Sequence, residues 1–101
     1  MLAVLALQGC GAVSTSADPA EITLRVATYN TSLYDDADGG LVRRLAAGDE
    51  RARRIAAVIQ SVRPDLVLLS EFDWDESGEA IERFARDYLG VGQFGHEPIR
   101  Y

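Results

Sequence analysis

Residues 64–71, with the sequence PDLVLLSE, decide how this chain folds. The unbroken apolar run at 66–69 is typical of a strand that is covered on both faces of its sheet. Residues 22–29 alternate between two sets of side chains and are rich in β-branched residues, which predicts an earlier strand. Asn30 follows the first predicted strand and Glu71 follows the second, so each strand ends in a polar side chain.

The segment between these strands has helical periodicity. Asp49 is a good N-cap, and apolar residues recur every three or four positions from Ala52 to Val62. Pro64 disfavours helical geometry at the preceding residue, so the helix should end near Arg63. We expect a loop at 30–40 and a short helical turn at 41–47. Strand, helix and strand form a βαβ unit, whose two strands should run parallel.

The chain after Glu71 predicts one more helix, from residue 76 or 77 to Leu89, with Gly90 as its C-cap. Beyond Val91, glycines and Pro98 interrupt any regular pattern. One βαβ unit and a further helix cannot close the core of a typical α/β domain. We therefore expect a truncated chain, with the edge of residues 66–69 exposed.

Asn30 and Glu71 are the candidate site residues. Parallel strands bring their carboxyl ends to one edge of a sheet, where open α/β sheets bind ligands. A carboxylate and a carboxamide offer hard oxygen ligands, which suit Mg²⁺ or Ca²⁺ and not zinc. The pair predicts part of a metal-dependent site that processes phosphates.

Residues 1–19 have a different composition from the rest. Residues 1–7 are wholly apolar, Cys10 follows closely, and residues 11–18 are small and polar like a flexible tether. The apolar run is too short to span a bilayer but reaches the lower length of a secretory signal. Residues 7–10 (LQGC) resemble a bacterial lipobox, which implies a lipid anchor on Cys10 and export to the cell envelope or outside the cell. The alternative is a ragged apolar N-terminus with one incidental cysteine.

Composition narrows the function classes. A formal charge of −6 and a pI near 4.6 argue against a broad basic surface for nucleic-acid backbones. The single cysteine excludes an internal disulfide framework and a multi-cysteine zinc cluster.

Residues 24–30 (LRVATYN) and 63–73 (RPDLVLLSEFD) resemble the first two motifs of the endonuclease/exonuclease/phosphatase superfamily, the deoxyribonuclease I-like fold. The likeness spans about residues 22–75 and is closest to secreted bacterial members. It implies that residues 20–101 are the N-terminal part of a four-layer α/β sandwich. It also implies a hydrolase acting on phosphate esters, possibly nucleic acid.

By this resemblance, Glu71 is a ligand of the catalytic Mg²⁺ (or Mn²⁺ or Ca²⁺), and Asn30 contacts the metal's shell or the scissile phosphate. Ser70 stands where the family usually has Gln. The family's later Asp-x-Asn motif and its His–Asp pair have no match in this chain. We therefore expect the chain alone to be inactive.

Two other classes remain as alternatives. The first is a non-catalytic surface lipoprotein that uses the fold as a binding module. The second is a metal-independent α/β hydrolase-like enzyme, disfavoured because no Gly-x-Ser-x-Gly elbow follows the second strand. The substrate stays open among DNA, RNA, a phospholipid head group and a small phosphate ester, and so does the oligomeric state.

Other polar residues have structural explanations. His96 is a lone loop histidine, which is more often structural than catalytic. We predict a solvated acidic loop around Asp35, Asp36 and Asp38, helix capping by Asp75 and Glu76, and a solvated face for the helical arginines (Arg51, Arg53 and Arg54).

Overall fold

A computed structural model describes residues 2–6 and 20–101. The strands are β1 (Leu2–Ala6), β2 (Val26–Leu33) and β3 (Leu66–Phe72). The helices are α1 (Gly40–Ala47), α2 (Glu50–Val62) and α3 (Glu79–Arg83), and α3 continues in wider π-helical turns over Phe84–Leu89. Cys10 and the linker lie outside the described residues, so lipidation stays a prediction. None of the described helices is long and apolar enough to cross a bilayer.

The predicted βαβ unit is present. β2 and β3 pair in parallel, with Val26 opposite Leu66 and Asn30 opposite Ser70, and two helices connect them. Asp49 caps α2 by accepting a hydrogen bond from the Ala52 N–H at 2.8 Å. The chain is therefore a mixed α/β fold built around a parallel strand pair.

β2 lies four residues later than the sequence predicts, because the register leaves residues 22–24 without a partner. In the same register, residues 22–24 would pair with residues 62–64. Those residues are the end of α2, Arg63 in a left-handed conformation and Pro64, which has no N–H. At its other end β2 includes residues 30–33, where the sequence predicts a loop. The candidate residue Asn30 is consequently inside the strand.

The sheet contains a strand that the sequence did not predict. β1 pairs antiparallel with β3, from Leu2 opposite Ser70 to Ala6 opposite Leu66. β3 is thus the central strand, and the expectation that its edge is exposed is wrong for the described chain. The uniform apolar run of residues 2–6 has no period-2 alternation, so it favoured a signal segment over a strand.

The helices cover one face of the sheet. Val67, Leu69 and Phe72 of β3 point into this core, where Phe72 packs against Phe84 with ring centroids 5.6 Å apart. The helices contribute further large buried side chains: Leu41, Leu45, Ile55, Ile59, Tyr88 and Leu89.

The opposite face of the sheet is not covered by any described residue. It presents apolar side chains from all three strands, including Val26 at 62% exposure and Leu66 at 36%. Coverage of β3 on both faces, as the apolar run predicted, is therefore not found within the described residues. We call this surface, formed by Leu2, Val4, Val26, Leu66 and Leu68, the open sheet face.

Hydrogen bonds from two core side chains hold the helices together. The Tyr88 hydroxyl donates to the Leu45 carbonyl and accepts from the Asp49 N–H, both at 2.8 Å, which joins the end of α1 to the start of α2. Buried Gln60 donates to the Leu89 carbonyl at 3.0 Å and accepts from the Gln93 N–H at 3.0 Å. These bonds satisfy backbone groups that a helix end leaves without partners.

Candidate functional site

The carboxyl ends of β2 and β3 meet at a β-bulge. Asn30 pairs with Ser70, but the next pair is Leu33 with Phe72, so three steps along β2 match two along β3. The extra residue interrupts the ladder and redirects the side chains beside it, which is how bulges near functional sites act.

Two non-glycine residues at this bulge have left-handed backbones. Ser32 has a φ of 47° and Glu71 has a φ of 51°. Such conformations cost of order 1–3 kcal/mol each and concentrate at functional sites. At Glu71 the left-handed turn breaks the alternation of β3: Leu69 and Phe72 are both buried, at 0% and 2% exposure, while Glu71 is exposed. The left-handed backbone of Glu71 thus turns its carboxylate away from the core and into solvent.

Thr31 holds the two strands together beneath the bulge. Its side chain is buried, with 2% exposure, and its hydroxyl lies 2.9 Å from the Ser70 carbonyl oxygen and 3.0 Å from that of Glu71. The same hydroxyl oxygen accepts from the Leu33 N–H at 3.3 Å. These contacts supply partners for backbone groups that the bulge removes from the ladder.

Asn30 and Glu71 converge through Ser32. The Asn30 Oδ1 accepts from the Ser32 backbone N–H at 3.1 Å and lies 3.2 Å from its hydroxyl. The Ser32 hydroxyl is 3.1 Å from the Glu71 Oε2. The two predicted site residues therefore belong to one hydrogen-bonded group at the predicted edge of the sheet, which we call the strand-end triad (Asn30, Ser32 and Glu71).

The triad leaves two polar atoms able to bind a ligand. Within the described residues, neither the Asn30 Nδ2 nor the Glu71 Oε1 has a hydrogen-bond partner, and both side chains face solvent. The amide can donate to an anion, and the carboxylate can bind a cation.

The donor atoms suit a hard divalent cation. Mg²⁺ commonly binds one or two carboxylates and completes its shell with water and substrate phosphate. Glu71 supplies such a carboxylate, whereas the Asn30 Oδ1 already accepts from Ser32 and leaves the amide Nδ2 for an anion. No cluster of three or more His, Cys, Asp or Glu side chains suited to a metal occurs in the described chain. The residues present fit a magnesium site that relies on water and substrate, not a cage of protein ligands.

The loops after β2 and β3 form an acidic rim beside the triad. They enclose a depression of about 170 Å³ that is lined by Asp35, Asp38, Asp73, Trp74 and Asp75, among others, but not by the triad. The Asp73 carboxylate accepts from the Asp35 N–H at 2.8 Å. Asp35 and Asp73, which line the depression, thus hold the two loops together. We assign no ligand to the depression.

Asp75 accepts hydrogen bonds from the first turn of the third helix, as its predicted capping role implies, although this helix begins at Glu79, later than predicted, and its N-cap position is Gly78. Its carboxylate accepts from the N–H groups of Glu79 and Ala80 at 2.7 and 3.0 Å. Desolvation would raise the pKa of this carboxyl, but hydrogen bonds from Ala80, Ser77 and Glu79 outweigh that effect and hold the pKa below its ordinary value of 3.8. Glu76 is exposed and makes no capping bond, so its predicted role is wrong.

His96 lies far from the triad along the fold. It is exposed, and the carbonyl of the next residue, Glu97, accepts from Arg63 at the opposite end of β3. Arg53 and Arg54 pair with Glu50 on the exposed side of α2, as the solvated-face interpretation predicts. Neither group contributes to the strand ends.

Sequence reasoning missed Thr31 and Ser32. Both follow Asn30 in a run of residues that favour loops, so nothing in the pattern indicated that the strand continues. The usable signal was a pair of hydroxyl residues directly after the candidate asparagine, where a bulge needs local hydrogen-bond partners.

Comparison with known proteins adds no relative: no family model, curated protein or solved structure matches this chain.

Proposed function

We propose that this chain is the N-terminal part of a divalent-metal-dependent phosphoesterase, a nuclease or phosphatase. The observation that carries the proposal is the convergence of Asn30 and Glu71 on a strained bulge at the carboxyl end of a parallel strand pair. Backbone strain at two neighbouring residues persists only where the surrounding structure enforces it. The resemblance of these same two segments to the deoxyribonuclease I-like superfamily supports the same activity.

Each site residue has a defined role in this proposal. Glu71 offers its exposed carboxylate to the cation, and Asn30 directs its amide N–H groups at an oxygen of the scissile phosphate. A bound Mg²⁺ would stabilise the negative charge on the phosphoryl oxygens and orient the attacking water. Because Asn30 is hydrogen-bonded before substrate arrives, little reorganisation is needed when negative charge develops.

The general base is proposed to come from a part of the protein outside residues 20–101. His96 belongs to the other end of the sheet, and the triad has no second titratable side chain besides Glu71. The 101-residue chain alone should therefore show no turnover. A non-catalytic binding module on the same fold is the competing outcome, and it predicts no turnover in the full-length protein either.

We further propose that the fold is completed as a four-layer sandwich. The support is the open sheet face: Val26, Leu66 and Leu68 leave an apolar surface suited to packing against a second sheet. Leu66→Lys should then strongly destabilise the full-length protein but have little effect on the 101-residue chain. Equal effects in both would contradict a second layer.

Export and a lipid anchor on Cys10 belong to the same proposal. They rest on the sequence of residues 1–18 alone. An exported phosphoesterase of this kind would act on substrates at the cell envelope or outside the cell, whether nucleic acid, phospholipid or a small phosphate ester.

The deciding experiment is Glu71→Gln in the full-length protein, assayed on DNA, RNA and p-nitrophenyl phosphate esters with and without Mg²⁺. The substitution keeps size and hydrogen bonding but removes the charge that holds a hard cation. Activity should fall at least about 10²-fold, and the Mg²⁺ concentration for half-activity should rise. Glu97→Gln, an exposed change near the opposite end of β3, is the matched control. Unchanged activity and metal response in Glu71→Gln would refute the assignment.

A further inference from the structure

Ser32 contacts both candidate site residues. Its backbone N–H donates to the Asn30 Oδ1 at 3.1 Å, and its hydroxyl lies 3.1 Å from the Glu71 Oε2. No other described side chain bonds to both. Ser32, like Glu71, also has a positive φ (47°), which is uncommon for residues other than glycine. A strained residue that links two exposed polar groups requires an explanation beyond the packing of the core.

The hydrogen bonds of Ser32 set which atoms each partner exposes. Because the Asn30 Oδ1 is engaged by the Ser32 N–H, the amide Nδ2 is turned outward, with both of its N–H groups available. Because the hydroxyl engages one carboxylate oxygen of Glu71, that carboxylate is fixed with the other oxygen free. A hydrogen bond to a charged acceptor is stronger than one between neutral groups, which favours this arrangement.

The left-handed backbones of Ser32 and Glu71 together allow these contacts. In an extended strand, successive side chains alternate between the two faces of the sheet. Regular strands would therefore place the side chains of residues 30 and 32 on one face and that of Glu71 on the other. The bulge and the positive φ of both Ser32 and Glu71 instead bring the Ser32 hydroxyl to the side chain of Glu71 on the neighbouring strand. The backbone conformation of Ser32 is therefore coupled to the orientation of the Asn30 and Glu71 side chains.

We propose that Ser32 is a positioning residue: it orients the Asn30 amide toward an anion and the Glu71 carboxylate toward a divalent cation. This inference rests on the proposed function and deepens it. Ser32 itself touches neither the cation nor the reacting phosphate. It acts by restricting two flexible side chains to one geometry before any ligand binds.

Two substitutions in the full-length protein separate positioning from structural support. Ser32→Gly removes the hydroxyl, but glycine adopts a positive φ without strain, so the thermal midpoint should be equal or higher. Ser32→Asn tolerates the left-handed region and returns a side-chain donor. Ser61→Ala, which removes an exposed helical hydroxyl bonded only to the Val58 carbonyl, is the matched control.

The first readout is independent of turnover. Mn²⁺ broadens NMR signals of nearby nuclei, so the side-chain amide of Asn30 and the backbone amide of Ser32 or its replacement report binding at the triad. Ser32→Gly should raise the Mn²⁺ midpoint about 10-fold to 100-fold, Ser32→Asn should recover most of the loss, and Ser61→Ala should match wild type. An unchanged midpoint in Ser32→Gly would overturn the inference.

The second readout separates this inference from the proposed function. If wild type binds Mn²⁺ at the triad and Ser32→Gly weakens it, while no phosphate ester is hydrolysed, the positioning role stands and the proposed enzyme fails. If wild type hydrolyses a phosphate ester and Ser32→Gly keeps both its kcat and its Mg²⁺ half-saturation, the enzyme stands and the positioning role fails. Absence of Mn²⁺ broadening in wild type overturns both.

Discussion

The backbone N–H of Asp35 donates to the carboxylate of Asp73 at 2.8 Å, and this bond joins the loop after β2 to the loop after β3. The Asp73 N–H in turn donates, at 2.9 Å, to the carbonyl of Leu33, which is the last residue of β2. The parallel pairing thus extends past both strands through a side chain. The strand-end triad lies directly before this connection, so its geometry depends on loops that are fixed to each other.

Replacing Asp73 tests whether its carboxylate stabilises the connection between the two loops. Asp73→Ala leaves the Asp35 N–H without its partner and should lower the free energy of unfolding by about 1 kcal/mol. Asp73→Asn keeps an acceptor oxygen and should be near wild type. Urea denaturation of the three proteins measures the difference, and equal midpoints for Asp73→Ala and wild type would contradict the structural role.

Asp75 should make the stability depend on acidic pH. Its pKa in the folded chain is below the ordinary value of 3.8, so its contribution is fully present above that value and is lost as the pH falls through the lower folded pKa. Asp75→Ala should cost about 1 kcal/mol at pH 6, the usual value of a helix cap. The difference from wild type should shrink below about pH 3.8. Urea midpoints at pH 6 and at pH 2.5 check this, and a difference that is constant with pH would contradict it.

Asn30→Asp should separate the two ends of the carboxamide. Aspartate keeps an oxygen that accepts from the Ser32 N–H, so the bulge and the thermal midpoint should be retained. It removes the outward N–H groups and adds a charge that repels phosphate. In the full-length protein, activity on phosphate esters should fall about 10²-fold or more, as for the loss of a positioned donor to a developing oxyanion. Asn30→Ala should lose both stability and activity, whereas equal activity of Asn30→Asp and wild type would exclude the amide as a phosphate donor.

The sequence predicted those elements whose signals are local. Asp49 as N-cap, Pro64 as the stop of α2 and the apolar run of β3 each act through neighbouring residues, and the structure confirms them. The limits of β2 depend on which residues of β3 exist to pair with, so they could not be derived from residues 22–29 alone. The positive φ values at Ser32 and Glu71 arise from the bulge between two strands. No local propensity indicates them, because serine and glutamate ordinarily avoid that conformation.

The N-terminal strand and the predicted lipid anchor exclude each other in one molecule. Cleavage before Cys10, as the lipobox resemblance implies, removes Leu2–Ala6 and with it the partner of residues 66–70 of β3. The processed form should therefore expose a strand edge that promotes association. Residues 20–101 should sediment as oligomers or aggregates at concentrations where residues 1–101 remain dispersed, and a sharp melt from a monomer of residues 20–101 would contradict this.

In cells, wild type should be found in the membrane fraction without residues 1–9, and Cys10→Ala should be released or left unprocessed. Wild type with an intact N-terminus in the soluble fraction would refute the predicted lipid anchor.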